Sequence, residues 1–146
     1  MEMKNDRISK INENHKKKYN CAQAVACVYA PLFGVEDETV TFRAMEGFGG
    51  GMAVKGTCGA VSAMAYIAGL ANSDGNLDAP ASKQKTYEVL RAMVKEFTEK
   101  NKSIICSEIK GLETGVVLRS CPGCMEDAGE IIEKYIMGET NEQQTL

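Results

Sequence analysis

Apolar positions recur at helical spacing along most of the chain, and no segment alternates in the way a paired strand does. Residues 4–19 carry Ile8, Ile11 and Tyr19 among polar neighbours, which predicts a weakly amphipathic helix with a narrow docking face. Asn20 reads as an N-cap for Cys21–Leu32, where Ala22, Val25, Ala26 and Tyr29 keep helical spacing until Pro31 and Gly34 end it. A short helix from Asp37 or Glu38 to about Glu46 would turn Val40, Phe42 and Met45 inward. Gly47–Gly56 holds five glycines and predicts no regular element. Thr57 then caps a helix through Leu70 whose positions 59, 60, 63, 65, 68 and 69 are all Gly or Ala. Such a bare helix can be approached closely on several sides, which places it at the centre. Asp78 and Pro80 open a long helix, Ala79–Lys100, with a stripe of Tyr87, Leu90, Met93, Val94 and Phe97. Ser103 precedes a short helix, Ile104–Lys110, and Glu113–Arg119 reads as a packed loop. Ser120 caps the last helix, Cys121–Met137, with Ala128, Ile131, Ile132, Tyr135 and Ile136 inward and Gly138 as its stop. The pattern predicts an all-α, compact, bundle-like domain of five or six helices over residues 1–138, followed by a polar tail, 139–146.

Bulk properties narrow the function. The chain has 146 residues, 44% of them apolar, and a formal net charge of −3. An acidic chain argues against a nucleic-acid surface, and the Lys16–Lys18 run shares its segment with Glu13, as a solvated face does. No apolar run is long enough to span a bilayer, and no apolar signal segment follows the N-terminus, so a cytoplasmic location is expected. His15 is the only histidine, which removes imidazole-rich metal sites and leaves no triad for acyl transfer. The glycine loop lacks the preceding strand and the Gly-Lys-Ser/Thr ending of a phosphate loop. The turn cluster around Asn72–Gly75 lacks the ligand spacing of a calcium loop.

Six cysteines are many for this length. In a reducing compartment they point to metal ligation, thiol chemistry or burial rather than structural disulfides. Cys21, Cys58, Cys106 and Cys121 each fall in the first turn after an expected cap, where open N–H groups favour a thiolate. If those helix starts converge, they form a four-sulfur pocket edged by Gly49, Gly50 and Gly51, with the glycine loop as its gate. Sulfur ligation of that kind suits an iron–sulfur cluster or zinc. Cys27 points to another side and reads as core. Cys121-Pro122-Gly123-Cys124 is a CxxC pair on one face, able to form a reversible disulfide or to supply two ligands. Within it Cys121, nearer the open N–H groups, is expected to be the attacking sulfur and Cys124 its partner. Met125 follows, so no haem attachment motif is present.

The stretches Asn20-Cys21-Ala22-Gln23-Ala24-Val25, Gly47-Phe48-Gly49-Gly50-Gly51-Met52, Cys58-Gly59-Ala60-Val61, Cys106-Ser107-Glu108 and Cys121-Pro122 occur in one order. In that order the chain resembles the redox-active proteins named for the spaced cysteine motif C-GCAxxG-C-C, over about residues 5–137. The signature cysteines of that family correspond to Cys21, Cys58, Cys106 and Cys121, with Cys27 and Cys124 as additions. Two departures stand at the central motif, where Cys58-Gly59-Ala60 replaces Gly-Cys-Ala and Ala63 replaces a glycine. The resemblance implies redox function with a bound prosthetic group such as an iron–sulfur cluster, and an oxidoreductase or transporter component as partner. The leading expectation is an electron-transfer protein holding an iron–sulfur cluster, or zinc, on Cys21, Cys58, Cys106 and Cys121. Protein purified in air is expected to lack the group as readily as to keep it. The alternatives are a metal-free thiol–disulfide protein using Cys121 and Cys124, or a non-catalytic helical partner or metal-sensing domain.

Overall fold

Small side chains decide how the helices meet. The computed structural model describes residues 2–138. Among them are seven α-helices: α1 (Lys4–Lys16), α2 (Cys21–Tyr29), α3 (Glu38–Met45), α4 (Gly59–Asn72), α5 (Lys83–Asn101), α6 (Cys106–Ile109) and α7 (Cys121–Tyr135). No strand forms among the described residues, and one antiparallel bridge joins Thr57 to Ile105. The expected tail, 139–146, lies outside the described residues. No helix is long and apolar enough to cross a membrane.

Two helices share the centre. In α4, Gly59, Ala60, Ala63 and Ala68 are buried, and the helix packs against α2, α5 and α7. In α2 every residue from Ala22 to Tyr29 is buried, and α1, α3, α4 and α7 surround it. A helix that is apolar all round belongs inside. Gly129 of α7 makes room for α1: a Cβ there would stand 2.7 Å from the Ile8 and Ile11 methyls. The same seam holds a buried ion pair, with Arg7 Nε donating to Glu133 Oε2 at 2.6 Å and a terminal guanidinium nitrogen to Oε1 at 2.7 Å. Tyr29 Oη donates to Glu133 Oε2 at 2.8 Å, so α1, α2 and α7 meet on one carboxylate. Burial, and then the Glu133 charge, push the Tyr29 phenol well above its ordinary range.

Three segments differ from the sequence pattern. Helix α5 starts at Lys83 rather than Ala79. The Asn76 side chain accepts from the N–H groups of Asp78 and Ala79, and Asp74 accepts from those of Asn76 and Ala81. These side-chain turns hold the segment outside the helix, as Asx turns do when they compete with helical bonding. In α3 the inner face is Thr41 and Met45, and Val40 is exposed. After α6, Leu118 N–H donates to Ile109 O at 2.8 Å and anchors the loop backbone. Its side chains at Val116, Val117 and Leu118 are nonetheless exposed, because no element covers that edge.

The glycine-rich stretch is ordered. A 3₁₀ turn, Glu46–Phe48, leads into a wide turn, Gly51–Lys55, closed by Gly56 N–H on Gly51 O at 2.9 Å. Gly50, Gly51, Met52, Ala53 and Lys55 all have φ between +58° and +64°. That left-handed run is natural for glycine and costs the other residues roughly 1–2 kcal/mol each.

Candidate functional site: a cysteine-walled cavity

Caps and one bridge fix the cysteines in place. Cys21 opens α2 beneath a capping box, in which Asn20 Oδ1 accepts from Gln23 N–H and Gln23 Oε1 accepts from Asn20 N–H, both at 2.9 Å. Cys58 is itself the cap residue of α4, one place earlier in the helix than expected, because Thr57 belongs to the bridge. Cys58 N–H donates to Ile104 O at 2.7 Å, and Cys106 N–H donates to Gly56 O at 2.6 Å. Cys106 opens α6, and Cys121 opens α7 where Ser120 Oγ accepts from Gly123 N–H at 3.1 Å.

These four cysteines and Cys124 line one cavity of about 40 Å³, together with Gly50, Gly59, Ile109, Lys110 and Arg119. Cys27 is not on its wall. Gly59 allows the closest approach. A Cβ there would overlap the Cys21 sulfur and stand 2.9 Å from Phe48 O. Of the three glycines expected at the edge, Gly50 lines the cavity. Gly49 lies instead beneath the Asn20 side chain, and Gly51 against the Gly56 backbone.

The electrostatics single out Cys58. Its thiol is lowered from an ordinary 9.0 to about 7, first by the hydrogen bond from Cys124 and then, against the penalty of burial, by the Ala60 and Val61 N–H groups. Cys124 keeps its proton: the bond to Cys58 and burial push it far upward. Burial raises Cys21, partly offset by the Gly50 and Gly59 N–H groups. Burial also raises Cys106, partly offset by the Lys110 and Lys55 charges. The Lys110 ammonium is raised by the charge of Cys121 and a hydrogen bond to it. Arg119 donates to both Asp127 oxygens, at 3.0 and 3.1 Å, and lies over Gly123, where a Cβ would come within 2.5 Å of its Nε.

The expected metal centre is corrected by this geometry. Among the described residues no three His, Cys, Asp or Glu side chains group so as to hold a metal ion. Cys21, Cys58, Cys106 and Cys121 share a cavity without converging on a point. Their sulfurs have separate partners: Cys21 the N–H groups of Gly50 and Gly59, Cys58 the Cys124 thiol, and Cys121 the Lys110 ammonium. An ammonium among the sulfurs also opposes a second cation. Neither an iron–sulfur cluster nor zinc fits, so electron transfer through such a group and metal sensing fall with it. The thiol–disulfide reading of Cys121 and Cys124 is corrected as well. All six cysteines are free with no pair at bonding distance. Spacing puts the two at one helix start, but Cys124 engages Cys58 while Cys121 engages Lys110.

Sequence reasoning did not single out Lys110 or Arg119, and it paired Cys124 with Cys121. Lys110 stands four residues after Cys106, on the same side of that helical turn, which was a readable signal. Arg119 carries no such local mark, since its place depends on Asp127 and on the bare surface at Gly123.

The molecule is thus a helical protein whose helix starts surround a thiol-walled cavity. A family model described as "Putative redox-active protein (C_GCAxxG_C_C)" matches residues 19–135, from just before Cys21 to the end of α7. The chain belongs to this family. No curated protein and no solved structure matches it.

Proposed function

We propose that the protein is a cysteine-thiolate redox protein in which Cys58 Sγ attacks a small electrophile admitted to the cavity. The observation that carries this reading is the place of Cys58 in the five-cysteine cavity, where a hydrogen bond from Cys124 holds its thiol below the ordinary range. That lowering favours the nucleophilic thiolate. Cys124 donates to that thiolate, and the Ala60 and Val61 N–H groups stabilise it further. Lys110 supplies positive charge from the wall, while Cys21, Cys106 and Cys121 complete the ring of titratable groups. The reaction needs neither a metal nor a disulfide between protein cysteines. The family description supports redox chemistry. Six free cysteines favour a reducing, cytoplasmic setting.

The test is a pH titration of thiolate ultraviolet absorbance in wild type and Cys58→Ser, followed by limited hydrogen peroxide and peptide mass mapping. Attack on peroxide forms an S–O bond at Cys58, breaks the O–O bond and releases hydroxide. A transition near pH 7 that disappears in Cys58→Ser, with oxygen first gained at Cys58, is the expected result. A first transition only near the ordinary 9.0, or first oxidation at another cysteine, overturns the reading.

A further inference from the structure

We infer that the electrophile this cavity accepts is a small anionic donor of sulfane sulfur, the hydrodisulfide class HSS⁻, from which Cys58 takes one sulfur atom. The inference rests on Cys58 being the nucleophile and adds the identity of what it attacks. Three features of the cavity carry it.

The first is size. A volume of about 40 Å³ compares with the roughly 10–15 Å³ that one water requires on the same kind of measure. Two or three heavy atoms fit. A glutathione disulfide or a peptide side chain does not. The second is charge. Lys110 is on the wall, and among the described residues no carboxylate joins it there, while the Arg119 guanidinium is taken up by Asp127. A neutral oxidant has no use for that cation. A reaction between a thiolate and an anion does, because the two negative charges must be brought together. The third is polarisability. Five sulfurs face the cavity, and soft, polarisable surroundings match a sulfur–sulfur substrate better than a hard oxyanion.

The step balances within the cavity. The Cys58 thiolate attacks one sulfur of HSS⁻, a new S–S bond forms, and the old S–S bond breaks with its electron pair on the departing sulfur. The Cys58 sulfur is oxidised to a persulfide and the departing atom is reduced to hydrosulfide. Lys110 Nζ gives a proton to the departing sulfur and recovers the one released from the new persulfide. The products are Cys58–S–S⁻ and HS⁻, with no other oxidant or reductant involved. Lys110 is placed for this exchange by its contact with Cys121.

The experiment uses the reduced full chain, without oxygen, with sodium disulfide as the probe. Peptide mass mapping reads the site of sulfur gain, and released sulfide is measured in parallel. One sulfur on Cys58, with an equal amount of sulfide released, is expected. Lys110→Met should slow transfer about tenfold or more, as loss of a charge-assisted contact does, and Lys110→Arg, which keeps the charge, should retain most of the rate. Sulfur on a different cysteine, or Lys110→Met transferring as fast as wild type, overturns the inference. So does the absence of sulfur gain in protein that shows the Cys58 thiolate transition; the nucleophile assignment then stands. Loss of that transition itself marks failure of the underlying reading.

Discussion

Removing the Cys124 thiol is the sharpest perturbation of the cavity. Cys58 lies at about 7 against an ordinary 9.0. Such a lowering is a preference for the thiolate on the order of 1–3 kcal/mol. A hydrogen bond to a charged group contributes about 1.5–3 kcal/mol, and Cys124 is the largest of the lowering causes. In Cys124→Ala, burial is opposed only by the Ala60 and Val61 N–H groups and the Lys110 charge. The Cys58 midpoint should therefore rise by about one to two units. The rate is a poorer readout than the midpoint. The thiolate fraction at neutral pH would fall, but a more basic thiolate is the better nucleophile, with a Brønsted slope of about 0.4–0.5, so the two effects partly cancel. The assay is thiolate absorbance against pH, with Cys58→Ser in the same background to assign the transition. Cys124→Ser separates hydrogen bonding from packing, because its hydroxyl still donates, and its midpoint should stay near that of wild type. An unchanged midpoint in Cys124→Ala would refute the claim that this thiol sets the acidity of Cys58.

Four further outcomes are expected. Gly59→Ala places a methyl on the Cys21 sulfur and should cost about 1–3 kcal/mol. Calorimetry should show the loss, and Cys21→Ala in the same chain should recover part of it. Glu133→Gln leaves the Arg7 charge buried, so thermal unfolding should show a loss of about 3–5 kcal/mol, most of it restored when Arg7 is also replaced by Met. Cys27, outside the cavity and pushed up to about 12 mainly by burial, should react with a small alkylating agent at pH 8 far more slowly than Cys58. The depressed Cys58 thiol contributes stability that is fully present above its unfolded value and lost as pH falls through its folded value. The stability gap between wild type and Cys58→Ser should thus widen in denaturant titrations as pH rises from about 7 towards 9.

The features legible in the sequence are those written within a few residues. Asn20 with Gln23, and Ser120 with Gly123, each close a cap locally, so Cys21 and Cys121 could be placed from pattern alone. The all-helical class follows from apolar spacing in the same way. What pattern could not supply is direction. Cys121 and Cys124 share a helix start, yet the Cys58 thiol draws one and Lys110 holds the other. A four-sulfur metal site was a reasonable expectation from four helix starts, but convergence to bonding geometry requires angles between helices that spacing does not encode. The late start of α5 has a different cause. Pro80 is compatible with a first helical turn, but Asp74 and Asn76 bind the backbone beyond them before a helix can.

The short bridge between Thr57 and Ile105 governs how the cavity can open. Its bonds bind the amide of Cys58 to the strand of chain before Cys106, and the amide of Cys106 to the residue before Thr57. Two walls are fastened to each other rather than to separate parts of the bundle. Swinging α6 away breaks both bonds together and exposes both sulfurs. Exposure of the cavity is then a cooperative local unfolding, with its own free energy below that of the whole chain. The amide hydrogens of Cys58 and Cys106 would exchange with solvent as one unit, recording how often the interior meets water.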